Sequence, residues 1–164
     1  MTKQERYDNA HMRATDAYAS LSHAVRNKVG ALLVSNDNRP LCCGFNGTSP
    51  GTDNECETQH MCPECMNGWS MMTPGQRCKL CSGSGIILKT KPEVHHAERN
   101  LLGWANKYGI PTNGCTIYIT LSPCVECAKQ MELAGIKRVV FKTEYRDLSG
   151  VEYLVSRGID CERL

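Results

Sequence analysis

Residues 93–135 read EVHHAERNLLGWANKYGIPTNGCTIYITLSPCVECAKQMELAG, and the segment alternates helical and extended patterns. From Glu93 to Tyr108 the residues favour a helix, which the following Gly and Pro would end. Residues 116–121 are rich in β-branched side chains and predict a strand. A second helix is expected from Pro123 to Leu133, closed by a nearby glycine. A strand between two helices is typical of a sheet covered by helices.

The flanking sequence extends this pattern in both directions. We expect further helices at Glu5–Val25 and Val151–Arg157, and further strands at Val29–Val34, Leu41–Phe45, Val139–Phe141 and Ile159–Leu164. Only a turn sequence separates the first two strands, so they should pair as an antiparallel hairpin. After residue 93 strands alternate with helices, which implies parallel pairing through crossover connections. The predicted fold class is therefore α/β, a three-layer sandwich with a mixed five-stranded sheet covered by helices.

The composition fits one globular domain. The 164 residues include 41% hydrophobic side chains, enough for one core, and we expect a single domain over residues 1–164. The formal net charge of +2 argues against a protein that wraps nucleic acid by counterion release. The polar N-terminal segment lacks a signal-peptide core, and no later segment is apolar enough for a membrane span. We therefore expect a cytoplasmic protein, in the host cytoplasm if the chain is viral.

Residues 53–92 differ from the rest of the chain, with Cys, Gly, Met and polar residues in little periodic order. A loop of that length needs something to hold it inside a compact domain. Four thiolates from two CxxC pairs would close a tetrahedron around a structural zinc: Cys62, Cys65, Cys78 and Cys81. The segment is interpreted as an inserted zinc-binding module, with free thiols or a redox pair as the competing interpretation. Three further residues could replace one thiolate or complete a third site: Cys56, His60 and His95.

A second group of candidate ligands lies near the starts of the two predicted helices. Cys124 and Cys127 are three residues apart, so on a helix they share a face and can bind one ion. His96 would supply a third ligand from the facing helix. Three protein ligands leave one tetrahedral position open, which is typical of a catalytic zinc rather than a structural one. Glu98 is poorly placed as a further ligand and is predicted to act as general acid/base over the open position.

The order His-x-Glu followed by Pro-Cys-x-x-Cys is the signature of zinc deaminases, although either fragment alone is weak. At these residues the chain resembles the cytidine/deoxycytidylate deaminase superfamily, and within it the phage and bacterial deoxycytidylate deaminases. Two more segments fit: Lys28–Ala31 is similar to the VGA strand of these enzymes, and Gly44–Gly51 to their G-[YF]-N-G loop. The resemblance covers residues 18–56 and 93–164.

The resemblance implies zinc-dependent hydrolysis of dCMP to dUMP with release of ammonia, which supplies thymidylate synthesis. It makes three residues the ligands of a catalytic zinc: His96, Cys124 and Cys127. Glu98 would shuttle protons from water to the ring nitrogen of cytosine and then to the departing amine. The implied metal content is one catalytic and one structural Zn²⁺ per chain.

Four residues are candidates for binding the nucleotide. By resemblance, Asn46 contacts the sugar and base, and Tyr145 closes the nucleotide pocket. The 5′-phosphate requires cationic or N–H partners, and Arg26 and Lys28 are the candidates for this role. Exposed Arg and Lys side chains are more often merely solvated, which is the competing interpretation for both.

The resemblance also implies a homo-oligomer, commonly a hexamer, that is activated by dCTP and inhibited by dTTP. Mg²⁺ would accompany the dCTP effector. The family places effector contacts in the loop that follows the second strand, which here points to Gly44, Asn46 and Gly47.

Three other functions remain open. A deaminase acting on cytosine or adenine within RNA or DNA would need a basic, aromatic-lined groove, and only 6% of the residues are aromatic. A bifunctional dCMP/dCTP deaminase would share the same site residues. A zinc-ribbon binding module with an inactive core is the third, but Glu98 argues against it, because a structural site needs no additional carboxylate.

Overall fold

Four helices and nine strands make up the computed structural model, which describes residues 1–164. The helices are α1 (Lys3–Ala19), α2 (Ala97–Lys107), α3 (Val125–Leu133) and α4 (Ser149–Ser156). The strands are β1 (Gly30–Val34), β2 (Pro40–Phe45), β3 (Glu57–Met61), β4 (Cys65–Met66), β5 (Trp69–Ser70), β6 (Ile86–Thr90), β7 (Thr116–Leu121), β8 (Arg138–Thr143) and β9 (Asp160–Arg163). None of the four helices combines the length and apolar character that a membrane crossing requires.

A mixed five-stranded sheet forms the centre of the molecule, in the order β2-β1-β7-β8-β9. Strand β1 is antiparallel to both of its neighbours, β2 and β7, whereas β7, β8 and β9 run parallel to one another. The parallel pairs are joined through α3 and α4, because parallel strands need a crossover connection. The predicted hairpin and the predicted crossover connections are both confirmed.

Alternate residues of the central strands face two separate apolar layers. Ile117 and Ile119 of β7 belong to a cluster of 15 buried residues that includes side chains of α2, α3 and α4. Tyr118, between them, belongs to a cluster of five that includes Met12 of α1. Successive side chains of a strand point to opposite faces, so α1 covers one face of the sheet and the other three helices cover the other. The three-layer sandwich predicted from the sequence is confirmed.

Helix α1 ends earlier than the sequence indicated, at Ala19 rather than at Val25. The Ser22 hydroxyl donates a hydrogen bond of 2.8 Å to the backbone carbonyl of Asn46 and so ties the chain to the end of β2. A serine that bonds to a distant carbonyl competes with continuation of the helix. The six residues after Ala19 therefore form an irregular segment that approaches the site described below.

Helix α2 begins later than expected, at Ala97 rather than at Glu93. His95 instead pairs with Gly47 through two backbone hydrogen bonds: the N–H of His95 donates at 2.9 Å, and the N–H of Gly47 donates back at 3.1 Å. This bridge holds the chain extended up to His96, which then serves as the N-cap of α2. The start of the helix is thereby fixed against the loop that follows β2.

Residues 57–90 lie outside the central sheet and form two small antiparallel ribbons. Strand β3 pairs with β6 from Glu57 opposite Thr90 to Met61 opposite Ile86. Strands β4 and β5 form a two-residue hairpin beyond them. The sequence did not predict these strands, because β3 is almost entirely exposed and shows no alternation of polar and apolar residues.

Candidate active site and cysteine cluster

Three candidate ligands meet where α2 and α3 begin. His96 and Cys124 are the N-caps of these helices, and both have extended backbone conformations. Neither side chain caps its own helix by a hydrogen bond, which leaves the imidazole and the thiol available to each other. The Nδ1 atom of His96 lies 3.6 Å from the Sγ atom of Cys124 and 3.4 Å from that of Cys127. All three donor atoms lie within 4.8 Å of one another.

These separations fit a single zinc ion. Bond lengths of about 2.0–2.1 Å to nitrogen and about 2.3 Å to sulfur imply N···S edges of roughly 3.6 Å in a tetrahedral site. The two observed N···S distances, 3.6 and 3.4 Å, match that edge. Hydrogen bonds from the Cys127 thiol and the His96 imidazole hold the pKa of the Cys124 thiol well below its usual range, which favours the thiolate that binds metal. No fourth His, Cys, Asp or Glu belongs to this group.

Glu98 is buried beside the three donors without being one of them. It is the second residue of α2 and only 4% exposed. Burial raises the pKa of its carboxyl group above the ordinary value, although its own backbone N–H and the His96 imidazole act in the opposite direction. Glu98 forms no ion pair within 4.0 Å. A carboxyl group in this environment takes up a proton more readily than an exposed one.

A cavity of about 130 Å³ opens onto this group of residues. Most of the residues that the sequence assigned to catalysis or substrate binding are among those that line it: Arg26, Asn46, His96, Glu98, Cys124 and Tyr145. Lys28 is exposed and is not a lining residue, although its neighbours Asn27 and Val29 both are. The structure therefore brings Arg26 to the cavity and leaves Lys28 outside.

Asn46 also organises the cavity wall, which the sequence alone did not indicate. Its Oδ1 accepts a hydrogen bond of 2.8 Å from the Val29 N–H, and its Nδ2 donates one of 2.8 Å to the Asn27 carbonyl. Both ends of the amide thus hold the segment between α1 and β1 in place. Tyr145 is held by a separate contact, because its N–H donates a 2.8 Å hydrogen bond to the Ser122 hydroxyl.

The two glycines assigned to effector binding lie on a different surface. Gly44 packs against α2 so closely that a Cβ atom there would lie 2.5 Å from the Ala97 carbonyl oxygen, which explains why β2 carries glycine at this position. Gly44 and Gly47 line a groove of about 510 Å³ together with the exposed residues Trp104 and Tyr108. The groove and the 130 Å³ cavity share no lining residue: Asn46 lines the cavity, whereas its chain neighbours Phe45 and Gly47 line the groove.

The other four predicted ligands form a second, closed cluster. The Sγ atoms of Cys62 and Cys78 lie 3.7 Å apart, and those of Cys65 and Cys81 lie 3.6 Å apart. A tetrahedral zinc with four thiolates has S···S edges of roughly 3.8 Å. All four residues are buried, and all four sulfur atoms lie within 4.8 Å of one another.

Glycines after the second CxxC pair bring backbone N–H groups towards this cluster. Gly85 adopts a φ of 75°, and its N–H lies 3.3 Å from the Sγ atom of Cys81. Burial alone would raise the pKa of the Cys81 thiol, but hydrogen bonds from the Gly85 N–H, the Cys65 thiol and the Gly83 N–H lower it to about 6. The three alternative ligands belong to neither group: Cys56, His60 and His95.

A family model for the cytidine and deoxycytidylate deaminase zinc-binding region matches residues 4–143. The human deoxycytidylate deaminase is 32% identical over 131 residues, which make up 79% of this chain and 61% of that protein. The deoxycytidylate deaminase of Mycobacterium phage D29 is 32% identical over 138 residues, covering 84% of this chain and 95% of that protein.

Among solved structures, the dCMP deaminase of cyanophage S-TIM5, determined in complex with dCMP and dUMP, has a TM-score of 0.74 at 30% identity. That match covers 100% of this chain and 99% of the phage chain. The chain thus spans less than two thirds of the length of the human relative and nearly the full length of both phage relatives.

Proposed function

The chain belongs to the cytidine and deoxycytidylate deaminase family, and on this basis we propose that it is a zinc-dependent enzyme that hydrolyses dCMP to dUMP and ammonia. Its dUMP product is the substrate that thymidylate synthesis requires. We place its action in the cytoplasm, of the host if the chain is viral, because this is where deoxynucleotides are made for DNA synthesis.

The observation that carries this proposal is the position of Glu98. Three donor atoms at tetrahedral spacing leave one coordination position for a small molecule, and a buried carboxyl group lies beside them on the cavity wall. A structural zinc has no use for a carboxyl group that is not a ligand. The combination favours acid–base chemistry on a molecule that enters the cavity.

The chemistry follows from the residues around the cavity. His96, Cys124 and Cys127 would hold a zinc ion, which would supply Lewis acidity at the part of the cavity beside Glu98. Glu98 accepts a proton from water and delivers it to the ring nitrogen N3 while the water oxygen bonds to C4 of cytosine. Glu98 then assists protonation of the amine, the C4–N bond breaks, and ammonia leaves. Each cycle consumes one water and returns Glu98 to its starting state.

Residues at the cavity wall supply the proposed nucleotide contacts. Asn46 is held by two hydrogen bonds to the backbone and is the proposed contact for the sugar and base. Tyr145 also lines the cavity and is the proposed residue that closes the nucleotide pocket. Arg26 lines the cavity and is the preferred partner for the 5′-phosphate, whereas Lys28 does not line it.

We also infer that Cys62, Cys65, Cys78 and Cys81 bind a second, structural zinc. Four thiols at tetrahedral spacing leave no coordination position for water, and the surrounding residues 53–92 bury little else that could order them. The segment is then an inserted zinc-binding module within a single deaminase domain over residues 1–164. Metal analysis of the purified protein should give about two zinc ions per chain.

Regulation and assembly are proposed from the family. We infer a homo-oligomer, a hexamer by resemblance, that dCTP activates together with Mg²⁺ and dTTP inhibits, with contacts in the Gly44, Asn46 and Gly47 loop. Support comes from the groove beside Gly44 and Gly47, which exposes the stacked rings of Trp104 and Tyr108. A rate curve for dCMP that stays hyperbolic and ignores added dCTP would reject this regulation.

A substrate panel tests the proposed reaction. Ammonia release is measured with dCMP, cytidine, dCTP and a short single-stranded oligonucleotide at equal concentrations. We expect dCMP to react with the highest kcat/KM. Equal turnover of dCTP would indicate a bifunctional deaminase, and preference for the oligonucleotide would indicate a nucleic-acid deaminase. Absence of ammonia with every compound, from protein that contains zinc, would reject the proposed function.

A further inference from the structure

The inserted module reaches the cavity through the base of its longer ribbon. Glu57 and Thr90 lie directly opposite each other at one end of the β3–β6 pair, and both line the 130 Å³ cavity. The other end of the same ribbon leads into the cysteine cluster, since Met61 and Ile86 form its last pair and the N–H of Cys62 donates a 2.9 Å hydrogen bond to Gly85. At about 3.4 Å per residue, the two ends are roughly 14 Å apart.

The Glu57 carboxylate fastens this ribbon to the segment between α1 and β1. Its two oxygens lie 3.2 and 3.1 Å from the Val25 N–H, and one lies 3.2 Å from the Arg26 N–H. These residues are more than 30 positions apart in the chain, so the contact joins two separate segments. A charged acceptor that receives two neighbouring backbone N–H groups fixes the orientation of both peptide units.

The same contact leaves the Arg26 guanidinium free for another anion. Arg26 has no carboxylate within 4.0 Å, and its only side-chain hydrogen bond is one of 3.5 Å to the Thr90 hydroxyl. The Glu57 oxygens accept hydrogen bonds from the Val25 and Arg26 backbone N–H groups and form none with the guanidinium. The backbone of Arg26 is therefore held while the positive charge stays unpaired at the cavity wall.

A small apolar joint stiffens the base of the ribbon. Ala24, Cys56 and Val94 form a buried cluster. Ala24 directly precedes Val25, Cys56 directly precedes Glu57, and Val94 lies three residues before the start of α2. The N–H of Lys91 also donates a 2.9 Å hydrogen bond to the Cys56 carbonyl. This joint accounts for the burial of Cys56, which takes no part in either ligand group.

From these contacts we propose that Glu57 is a positioning residue, which holds Arg26 in place for the 5′-phosphate of the nucleotide. The inserted module then sets the affinity for phosphorylated substrate, with the cysteine cluster as the anchor of its far end. This inference rests on the proposed dCMP deamination and adds to it a role for the inserted module in substrate binding.

Kinetics with two substrates test the inference. Deoxycytidine offers the same base and sugar as dCMP without the phosphate. In Glu57→Ala, kcat/KM for dCMP should fall about tenfold through a higher KM with nearly unchanged kcat, because the hydrogen bonds from the Val25 and Arg26 N–H groups lose their acceptor. The value for deoxycytidine should stay within about twofold. Glu57→Gln keeps one side-chain acceptor and should show a smaller loss of kcat/KM for dCMP. If the alanine variant folds poorly, the glutamine variant is used for the test instead.

Two controls separate positioning from general damage. Glu64→Gln alters an exposed acidic residue of the same module whose side chain makes no hydrogen bond, and it should leave both substrates unaffected. In an Arg26→Ala background, Glu57→Ala should cause no further loss with dCMP. Equal losses for dCMP and deoxycytidine, additive losses in the double variant, or no loss with either Glu57 variant would each overturn the inference. A wild-type protein that does not turn over dCMP would instead reject the proposed function itself, and the inference with it.

Discussion

The two sulfur-rich sites of this chain are built by opposite means. His96, Cys124 and Cys127 are placed by the starts of two helices that pack into the main core, and they supply three donors. The four cysteines of the inserted module lie in short irregular segments, in a turn and in the two-residue strand β4, and the half-buried Ile87 packs against their cluster. In the first site the packed helices hold the ligands in place. In the second, we expect metal binding by the cysteines to order the surrounding residues.

This contrast explains why one site suits chemistry and the other suits structure. A site held by the core can leave a coordination position open, because its geometry does not depend on a fourth protein ligand. The module cannot do so, since Met66, Met72 and other apolar side chains of residues 57–90 remain exposed and contribute little to its stability. We therefore expect a closed tetrahedron of metal-bound thiolates to supply its stability.

Removal of a ligand from the core-supported site should have the largest effect on activity. We expect Cys124→Ser to fold normally, to contain about one zinc per chain instead of about two, and to lose all measurable dCMP turnover. The reason is that α3 packs into the core without the metal, while the reaction depends on it. Metal analysis and ammonia release measure the two effects. Substantial turnover in this variant would contradict the assignment of Cys124.

Loss of the Glu98 carboxyl group should reduce dCMP turnover nearly as much, and it should leave both zinc ions bound. Glu98→Gln keeps the shape of the side chain but cannot shuttle a proton, so kcat for dCMP should fall by about 10³-fold or more. Zinc content should stay at about two per chain. If the variant retained wild-type kcat, Glu98 would have no acid–base role.

Substitution of a predicted zinc ligand in the module should affect the order of residues 57–90 more than it affects kcat. In Cys78→Ser we expect about one zinc per chain, rapid proteolysis within residues 57–90, and a kcat within about threefold of wild type. The kcat/KM for dCMP should nevertheless fall, because the ribbon that carries Glu57 loses its anchor. Complete loss of kcat would show that the module supports the catalytic zinc directly, and the contrast between the two sites would fail.

Two glycines allow a finer version of the same test. A Cβ atom on Gly150 of α4 would collide with the carbonyl oxygen of Pro123 and lie 2.7 Å from the carbonyl carbon of Cys124. Gly150→Ala should therefore displace the Cys124 ligand, cost about 1–3 kcal/mol of stability and reduce kcat.

Gly68 is the counterpart in the module, with a φ of 88° and a Cβ position that collides with the carbonyl oxygen of Gly83. Gly68→Ala should disorder the module and leave kcat nearly intact. Thermal unfolding and dCMP kinetics of the two variants give the comparison. A drop in kcat for Gly68→Ala as large as that for Gly150→Ala would contradict the functional distinction between the two sites.

Sequence reasoning succeeded where local pattern and spacing decide the structure. Helix and strand periodicity predicted the sandwich, and the CxxC spacing with the His-x-Glu fragment singled out the residues that the structure brings together. It failed where long-range hydrogen bonds decide. The end of α1 depends on a contact between Ser22 and Asn46, and the start of α2 depends on the pairing of His95 with Gly47.

The sequence also did not predict that the module contributes residues to the cavity wall. Glu57 and Thr90 reach the wall only because β3 and β6 pair, and both strands lack the alternation that would have revealed them. Whether Arg26 or Lys28 faces the cavity depends on an irregular segment held by Asn46 and Glu57. No periodicity in that segment indicates which side chain points inward.

The central claim is that water activated beside Glu98 replaces the amine of dCMP. Reaction of dCMP with the zinc-containing protein in ¹⁸O-labelled water, followed by mass spectrometry of the nucleotide, tests this claim directly. We predict one ammonia released per dUMP formed, with a single ¹⁸O atom on the pyrimidine ring at C4. Recovery of unchanged dCMP, or of dUMP without the label, would contradict it.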